Sequence, residues 1–353
     1  MHSIAVAVAG HLCLDITPLQ ADRAQIDPGS LFDVGPLSVT LGGCVANTGG
    51  VLADLGAVVV PYATIGDDEL GGLLREKLNA KGFDNPQLTI SSDRTTSYSL
   101  VIEQRGSDRT FWHHTGANSD FDGRGVEPAG HTVVHVGYPP LLPGVLAEGG
   151  RKLTDLLSRV QSAGVTSSLD LAVVDLNSAV GTLDWDVILA SACSHSDIVT
   201  PSLDDLTSAW GIEEEYSPAL VDRLAHRLLD YGVAVVVISA GAHGLHLRTA
   251  SKDRLKEGGT LLAPLADTWA DQSLSLLPLL VENTVTTNGA GDSSTAGLLF
   301  GLSQGAAPAQ SAALAIACSA AVISGERATP AKVMELDKSL ADIFERNVRK
   351  DHR

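Results

Sequence analysis

Aromatic side chains are scarce in this chain: Phe, Trp and Tyr together make up 4% of its 353 residues. A core of that size has to be assembled from Ala, Val, Leu and Ile instead. Cysteines are few as well. Cys13, Cys44, Cys193 and Cys318 lie far apart, with no C-x-x-C pair and no metal-ligand spacing, which fits reduced thiols in a cytoplasmic setting. Long apolar runs are missing. The N-terminal run from Ile4 to Gly10 is short, has no Lys or Arg before it and meets Asp15 at once, so it reads as a buried first strand, not a signal peptide or a membrane span. Basic residues are outnumbered: 24 Lys and Arg against 42 Asp and Glu leave a formal net charge of -18. Nucleic acid and anionic membranes both require clustered Lys and Arg to displace counterions, so neither is expected as a partner. A polyanionic ligand would need local Gly amides, a few Arg and a divalent cation to overcome this field.

What is present points to a globular α/β protein, with 44% hydrophobic and 19% charged residues and no internal repeat, low-complexity tract or obvious linker. The length allows one large domain or two smaller ones, and residues 1–353 read as a single domain. Continuous apolar or β-branched runs at 4–10, 58–66, 131–137, 166–172, 197–201 and 233–240 alternate with helical patterns at 45–56, 70–82, 149–164, 216–232 and 308–324. Buried strands alternating with helices imply a parallel sheet covered on both faces. Two segments, 12–40 and 93–117, lack helical period, and the second reads as two strands joined by the turn "QRGSD". They suggest a small β layer standing off the main sheet, over the ligand crevice at the strand ends. Residues 251–283 read as a loop followed by one or two strands.

The stretch "TVTTNGAGDSSTAGLLFGL" at 284–302 carries the chemistry. An apolar helical run begins just after Gly289, Ala290, Gly291 and Asp292. The first amides of a helix lack partners and carry the positive end of its dipole. Asp292 is therefore either an ordinary cap or a base beside an external anion held by the glycine amides. Other glycine motifs occur in order along the chain: Gly10 and Asp15 after the first strand, "GGCVAN" at 42–47, "GDDELG" at 66–71, "GAN" at 116–118 and "SAGAHG" at 239–244. This order, from about residue 4 to about residue 325, resembles the ribokinase-like (PfkB) carbohydrate kinases.

The resemblance implies a three-layer α/β/α ribokinase-like fold with a mainly parallel central sheet and a β-sheet lid. It also implies ATP-dependent phosphorylation of an alcohol group with Mg²⁺. Carried over by position, Asp292 is the general base, and the amides of Gly289, Ala290 and Gly291 form the anion hole for the γ-phosphoryl. A carboxylate kept ionised by the helix end would be a weak base that accepts a proton as the hydroxyl oxygen bonds to phosphorus. Asp15, Gly42, Gly43 and Asn47 face the sugar hydroxyls, with Asn118 reaching sugar or phosphate. Trp112, with Phe111, His113 and His114, stacks on a sugar ring or on a nucleoside base, and these alternatives stay open. Ser239, Gly241, Gly244 and Asn288 belong to the nucleotide side, with the Ala-rich helix at 308–324 along the adenine. Arg109 follows the lid turn, where a solvated charge is the default and a phosphate contact the alternative. Asp205, in "SLDD" at 202–205, stands for the family's Mg²⁺-linked Glu, indirectly through water and one methylene shorter. Cys44 takes the place of a Lys found in several members, which disfavours an already phosphorylated sugar.

A sugar or sugar-like polyol kinase is the first expectation. A nucleoside kinase of the same fold and a catalytically silent sugar sensor are the rivals. A dinucleotide-binding dehydrogenase is disfavoured because no Gly-x-Gly-x-x-Gly follows the first strand. Relatives often bury the lid face against a second lid, so a homodimer through the lids is expected. The family's acidic residue ahead of Asn-Gly-Ala-Gly-Asp is replaced by Thr286, a neutral hydroxyl that forfeits most of the Coulomb attraction for a monovalent cation. Catalysis should therefore respond little to potassium. Several-fold activation by K⁺ over a bulky organic cation at equal ionic strength would refute this.

Overall fold

The structure, a computed structural model, describes residues 4–18, 28, 29, 31, 33–83, 85–102 and 110–350, with backbone only from 346 to 350. Its strands are β1 (Ala5–Gly10), β2 (Cys13–Pro18), β3 (Leu37–Gly42), β4 (Val58–Gly66), β5 (Gln87–Ser91), β6 (Tyr98–Ile102) and β7 (Thr110–His114). They continue with β8 (Val133–Gly137), β9 (Thr166–Asp170), β10 (Ile198–Val199), β11 (Val235–Ser239), β12 (Leu245–Thr249) and β13 (Ser273–Leu276). The helices begin with α1 (Cys44–Leu55), α2 (Glu69–Ala80), α3 (Pro143–Ser162), α4 (Trp185–Cys193), α5 (Leu203–Trp210) and α6 (Pro218–Asp230). Three short ones follow, α7 (Lys252–Lys256), α8 (Gly259–Leu262) and α9 (Ala266–Trp269), and then α10 (Ala290–Ser303), α11 (Pro308–Ile323), α12 (Pro330–Leu336) and α13 (Ala341–Lys350).

The main sheet runs β13-β12-β11-β10-β9-β8-β1-β4-β5, parallel from β5 to β11 and antiparallel at β12 and β13. Because successive side chains alternate across a strand, each buried strand feeds two cores. Val6 and Val8 of β1 join a cluster with α1, α10 and α11, whereas Ala7 and Ala9 join a second cluster with α3, α4 and α6. Val235 and Val237 against Val236 and Ile238 repeat this division on β11. The result is the three-layer α/β/α architecture that the family resemblance implies, with cores built mainly from Ala, Val, Leu and Ile. Among the described residues no helix is long and apolar enough to cross a membrane.

Six of the nine strands coincide with the apolar runs in the sequence, although β10 is trimmed to two residues. The others, β5, β12 and β13, sit at or next to the sheet edges. β5 and β13 are half exposed and therefore present no continuous apolar run. The expectation for 251–283 needs correction: α7, α8 and α9 precede a single strand, β13. Helices of five, four and four residues are too short to display a 3.6-residue period. The helix expected at 149–164 forms the larger part of α3, which is interrupted by non-helical backbone at Ala147 to Gly150.

A second sheet of four strands, β3-β2-β6-β7, stands over the carboxyl ends of the main sheet. Only His11 and Leu12 separate β1 from β2, so the lid grows directly out of an interior strand of the main sheet. β2 pairs parallel with β6, while β2–β3 and β6–β7 are antiparallel. These strands fall in the two expected segments, except that β3 runs two residues past residue 40 to Gly42; the turn "QRGSD" and Arg109 lie outside the described residues. The lid keeps large apolar groups in solvent, with Leu37 61% and Trp112 45% exposed. Covering this face with a second lid predicts a solution mass of twice the 36.7 kDa chain by light scattering, and a monomer for Trp112→Glu. A wild-type chain that stays monomeric would exclude lid pairing.

Candidate active site

In an open α/β sheet the ligand crevice forms where the strand order reverses. Here β1 is followed in sequence by β4 on one side and by β8 on the other, so the reversal falls between β1 and β8. Residues at or just after the ends of β1, β8, β9, β10 and β11, namely His11, Tyr138, Asp170, Thr200 and Ser239, all line one cavity of about 650 Å³. The lid closes it from above with Cys13, Asp15, Ser99, Phe111 and His113. A second, more apolar cavity of about 460 Å³ lies between the end of β11, the loop at 278–287, the start of α10 and the face of α11 carrying Ile316, Ser319, Ala320 and Ile323. Ser239, Thr287 and Gly291 line both, so the two compartments meet at the first turn of α10.

That turn is built by glycine. Gly289 is the N-cap with φ 75°, a left-handed conformation that suits glycine, and Asp292 is the third residue of the helix. Its side chain does not cap its own helix. It is 2% exposed and accepts three hydrogen bonds from other elements: Thr48 Oγ1 at 2.8 Å, Asn47 Nδ2 at 3.0 Å and Tyr138 Oη at 2.6 Å. Burial pushes the carboxyl above its usual range, the three donors pull it back down, and the Asp15 carboxylate adds a further upward push. The expectation of a carboxylate kept weakly basic by the helix end is thus corrected. Desolvation outweighs the donors and makes Asp292 a stronger proton acceptor than a surface Asp. Of the three amides expected at the anion site, Ala290 N–H is engaged with Thr287 O at 3.3 Å. A Cβ built on Gly291 would meet nothing within 4 Å, so its backbone faces open space where the compartments join.

The remaining expected residues divide. Gly43 and Asn47 line the larger cavity together with Asp15. Gly42 does not line it; a Cβ there would lie 2.5 Å from the Asp15 carboxylate, so its lack of a side chain makes room for Asp15. Asn288 is placed on the opposite side from the one expected: it lines the larger cavity, and its Nδ2 donates to Asp15 Oδ2 at 3.1 Å. Asn118 is fully buried away from the cavity, its amide engaged with the backbone N–H and C=O of Leu12. Trp112 is absent from the lining because alternate residues of β7 face opposite ways, and Phe111 and His113 hold the inward positions. Ser239, Gly241 and Gly244 line the second cavity as expected. Asp205 lines the larger cavity but also forms a reciprocal cap with Ser202 at the start of α5, with Ser202 N donating to its Oδ2 at 2.8 Å. Burial drives Asp205 up to about 6, with Asp204 and Asp292 contributing further.

Tyr138, Asp170 and His11 escaped sequence reasoning. Asp170, 4% exposed, ends β9; burial and the charges of Asp205 and Asp292 hold it well above the ordinary carboxylate range. Tyr138 follows β8 in a left-handed conformation, φ 68°, which turns its hydroxyl toward Asp292. The signal was available: each residue immediately follows or ends a strand of the parallel sheet, where ligands gather. Among the described residues, no group of three or more His, Cys, Asp or Glu is arranged to hold a metal ion.

Residues 4–333 match the pfkB family carbohydrate kinase. The chain is 25% identical over 236 residues to the ribokinase of Haemophilus influenzae, covering 65% of this chain and 71% of that protein. It is similar in structure to the ribokinase of Arabidopsis thaliana complexed with ribose and ATP, with a TM-score of 0.70 at 18% identity over 95% of this chain and 98% of that one. The nucleoside kinase of Burkholderia thailandensis in complex with inosine gives a TM-score of 0.69 at 17% identity over 95% and 99%. At these identities the structural matches establish a shared fold.

Tyr138→Phe removes one of the three donors that favour ionised Asp292. The carboxyl pKa should rise further, so the acid limb of the kcat–pH profile should move to higher pH. The loss of one hydrogen bond to a charged group should lower kcat on the order of tenfold. The same group sets a stability trend. Its native pKa lies above that of the unfolded chain, so its contribution turns unfavourable as pH rises from the unfolded value through the native one. Asp292→Asn should flatten that dependence in a denaturant titration.

Proposed function

Because the chain belongs to the pfkB family of carbohydrate kinases, we propose that it transfers the γ-phosphoryl of ATP to a hydroxyl of a sugar or sugar-like polyol, with Asp292 as general base. One observation carries this reading: a lid-covered cavity carrying several polar side chains and a more apolar cavity meet at Gly291, one residue before a buried carboxylate. The acceptor occupies the first, held through Asp15, Asn47 and Asn288. The nucleotide occupies the second, its base against Ile316, Ser319, Ala320 and Ile323 of α11 and its phosphates running past Gly241 and Gly244 toward the start of α10. The acceptor hydroxyl oxygen attacks the γ-phosphorus in line, its proton passes to Asp292, and the bond from phosphorus to the bridging oxygen breaks, releasing ADP. The first-turn amides, Gly291 foremost, face the charge of the transferring group without having to reorganise.

Mg²⁺ would arrive with the nucleotide phosphates, since no cage of protein ligands is present among the described residues. Asp204 and Asp205, which line the acceptor cavity, would hold it through water, and it would supply neutralisation of phosphate charge. Phe111 in the cavity wall gives a nucleoside acceptor a specific supporting observation, as an apolar surface for a base. A silent sensor is disfavoured by the Asn47, Thr48 and Tyr138 contacts that hold Asp292 at the junction.

The test is coupled ADP release with MgATP across hexoses, pentoses, cyclitols and nucleosides, repeated with Asp292→Asn. The amide fills the same volume but cannot accept the proton, so kcat should fall by ~10²-fold or more while nucleotide binding persists. Near-normal kcat in the variant would remove Asp292 from the role of base.

A further inference from the structure

His11 and His113 take no part in the transfer chemistry, yet they flank the acceptor cavity from both sides of its boundary. His11 leaves β1 just before the lid begins, and His113 stands on lid strand β7. Their ring centroids are 5.1 Å apart, and the His11 ring lies 5.8 Å from that of Tyr138. His11 is 3% exposed, and neither of its ring nitrogens has a hydrogen-bond partner. His113 shares Nδ1 with the Ser99 hydroxyl at 3.0 Å, while its Nε2 is buried and also unpartnered. Three imidazole nitrogens thus stand without a protein partner beside one cavity. Buried polar groups without partners are costly, so a site of this kind favours a ligand that supplies them and rejects one that does not.

Charge narrows the ligand. Burial holds both rings neutral, His11 well below its usual range and His113 down to about 4. A neutral imidazole offers one donor and one acceptor, which is what a hydroxyl group can match on both sides. Asp15, Asp170, Asp204 and Asp205 line the same cavity, and among the described residues no Lys or Arg does. A carboxylate or phosphate entering on the lid side, away from the nucleotide junction, would meet the Asp15 carboxyl and no Lys or Arg among the described residues.

We propose, on the basis of the sugar-kinase reading above, that His11 and His113 are the selectivity element of the acceptor site and admit an uncharged polyhydroxylated substrate in preference to sugar acids and sugar phosphates. The ligand enters as the lid lifts His113 from His11, and its hydroxyls pair with the nitrogens that otherwise close on nothing.

The test uses the full chain and a panel of uncharged aldoses, ketoses, cyclitols and nucleosides, each beside its carboxylate or monophosphate counterpart. Binding is read by calorimetry and turnover by ADP release. The best ligand should be uncharged and bound at least about tenfold more tightly than its charged counterpart. His11→Phe and His113→Phe should each weaken it by about tenfold, raising KM more than they lower kcat, with ADP binding unchanged. His11→Gln, which keeps a donor and an acceptor, should restore part of the loss. Thermal melts establish that each variant is folded, and should His11→Phe fail to fold, His113→Phe and His11→Gln decide. A sugar acid or sugar phosphate as best substrate overturns the selectivity and leaves the kinase reading intact, as do folded Phe variants that bind the uncharged ligand like wild type. A panel in which nothing binds and no ADP is released overturns both.

Discussion

The site depends on one carboxylate taken out of water. Asp292 lies at the start of α10, but what keeps it in place comes from elsewhere: Asn47 and Thr48 on α1, and Tyr138 beyond the end of β8. An ionisable group buried so deeply is tolerable only where donors surround it. Those donors in turn fix the packing of α1 on α10 and the turn after β8. The glycines on either side follow from the same requirement. Gly43, at φ 87°, starts α1 where a Cβ would lie 2.5 Å from the carbonyl oxygen of His11, and Gly289 starts α10 in the left-handed region. Two helices begin facing each other because glycine permits both sharp entries.

A polar link ties the lid to this arrangement. Asp15 belongs to β2, Asn288 to the loop that leads into α10, and the amide of one donates to the carboxylate of the other. Asn288 therefore relates lid position to the geometry at the start of α10, a role its place next to the glycine motif did not suggest.

Local chemistry was legible in the sequence, and its long-range consequences were not. Gly289, Ala290, Gly291 and Asp292 announce a helix start because glycine and the apolar period act within a few residues. The strands of the sheet interior show themselves as unbroken apolar runs for the same reason. β5 and β13 do not, because half-exposed edges carry no such run. Trp112 against Phe111 and His113 was a question of parity: strand register decides which alternate residues turn inward, and a slip of one residue reverses the whole set. Tyr138 and Asp170 are single residues after or at strand ends. Only the order of strands in the sheet brings them to Asp292, and no local pattern encodes that order.

The contacts around Asp292 join residues 245, 244 and 154 positions apart in the chain. Such pairings form slowly, and a chain emerging from the ribosome meets them late. The strands that carry the acceptor side are synthesised first and can pair with one another while α10 is still unmade. Until α10 docks, α1 presents Asn47 and Thr48 with no carboxylate to receive them. Docking of α10 is thereby deferred to the last quarter of synthesis, and until then the sheet face that α10 and α11 cover goes without their packing.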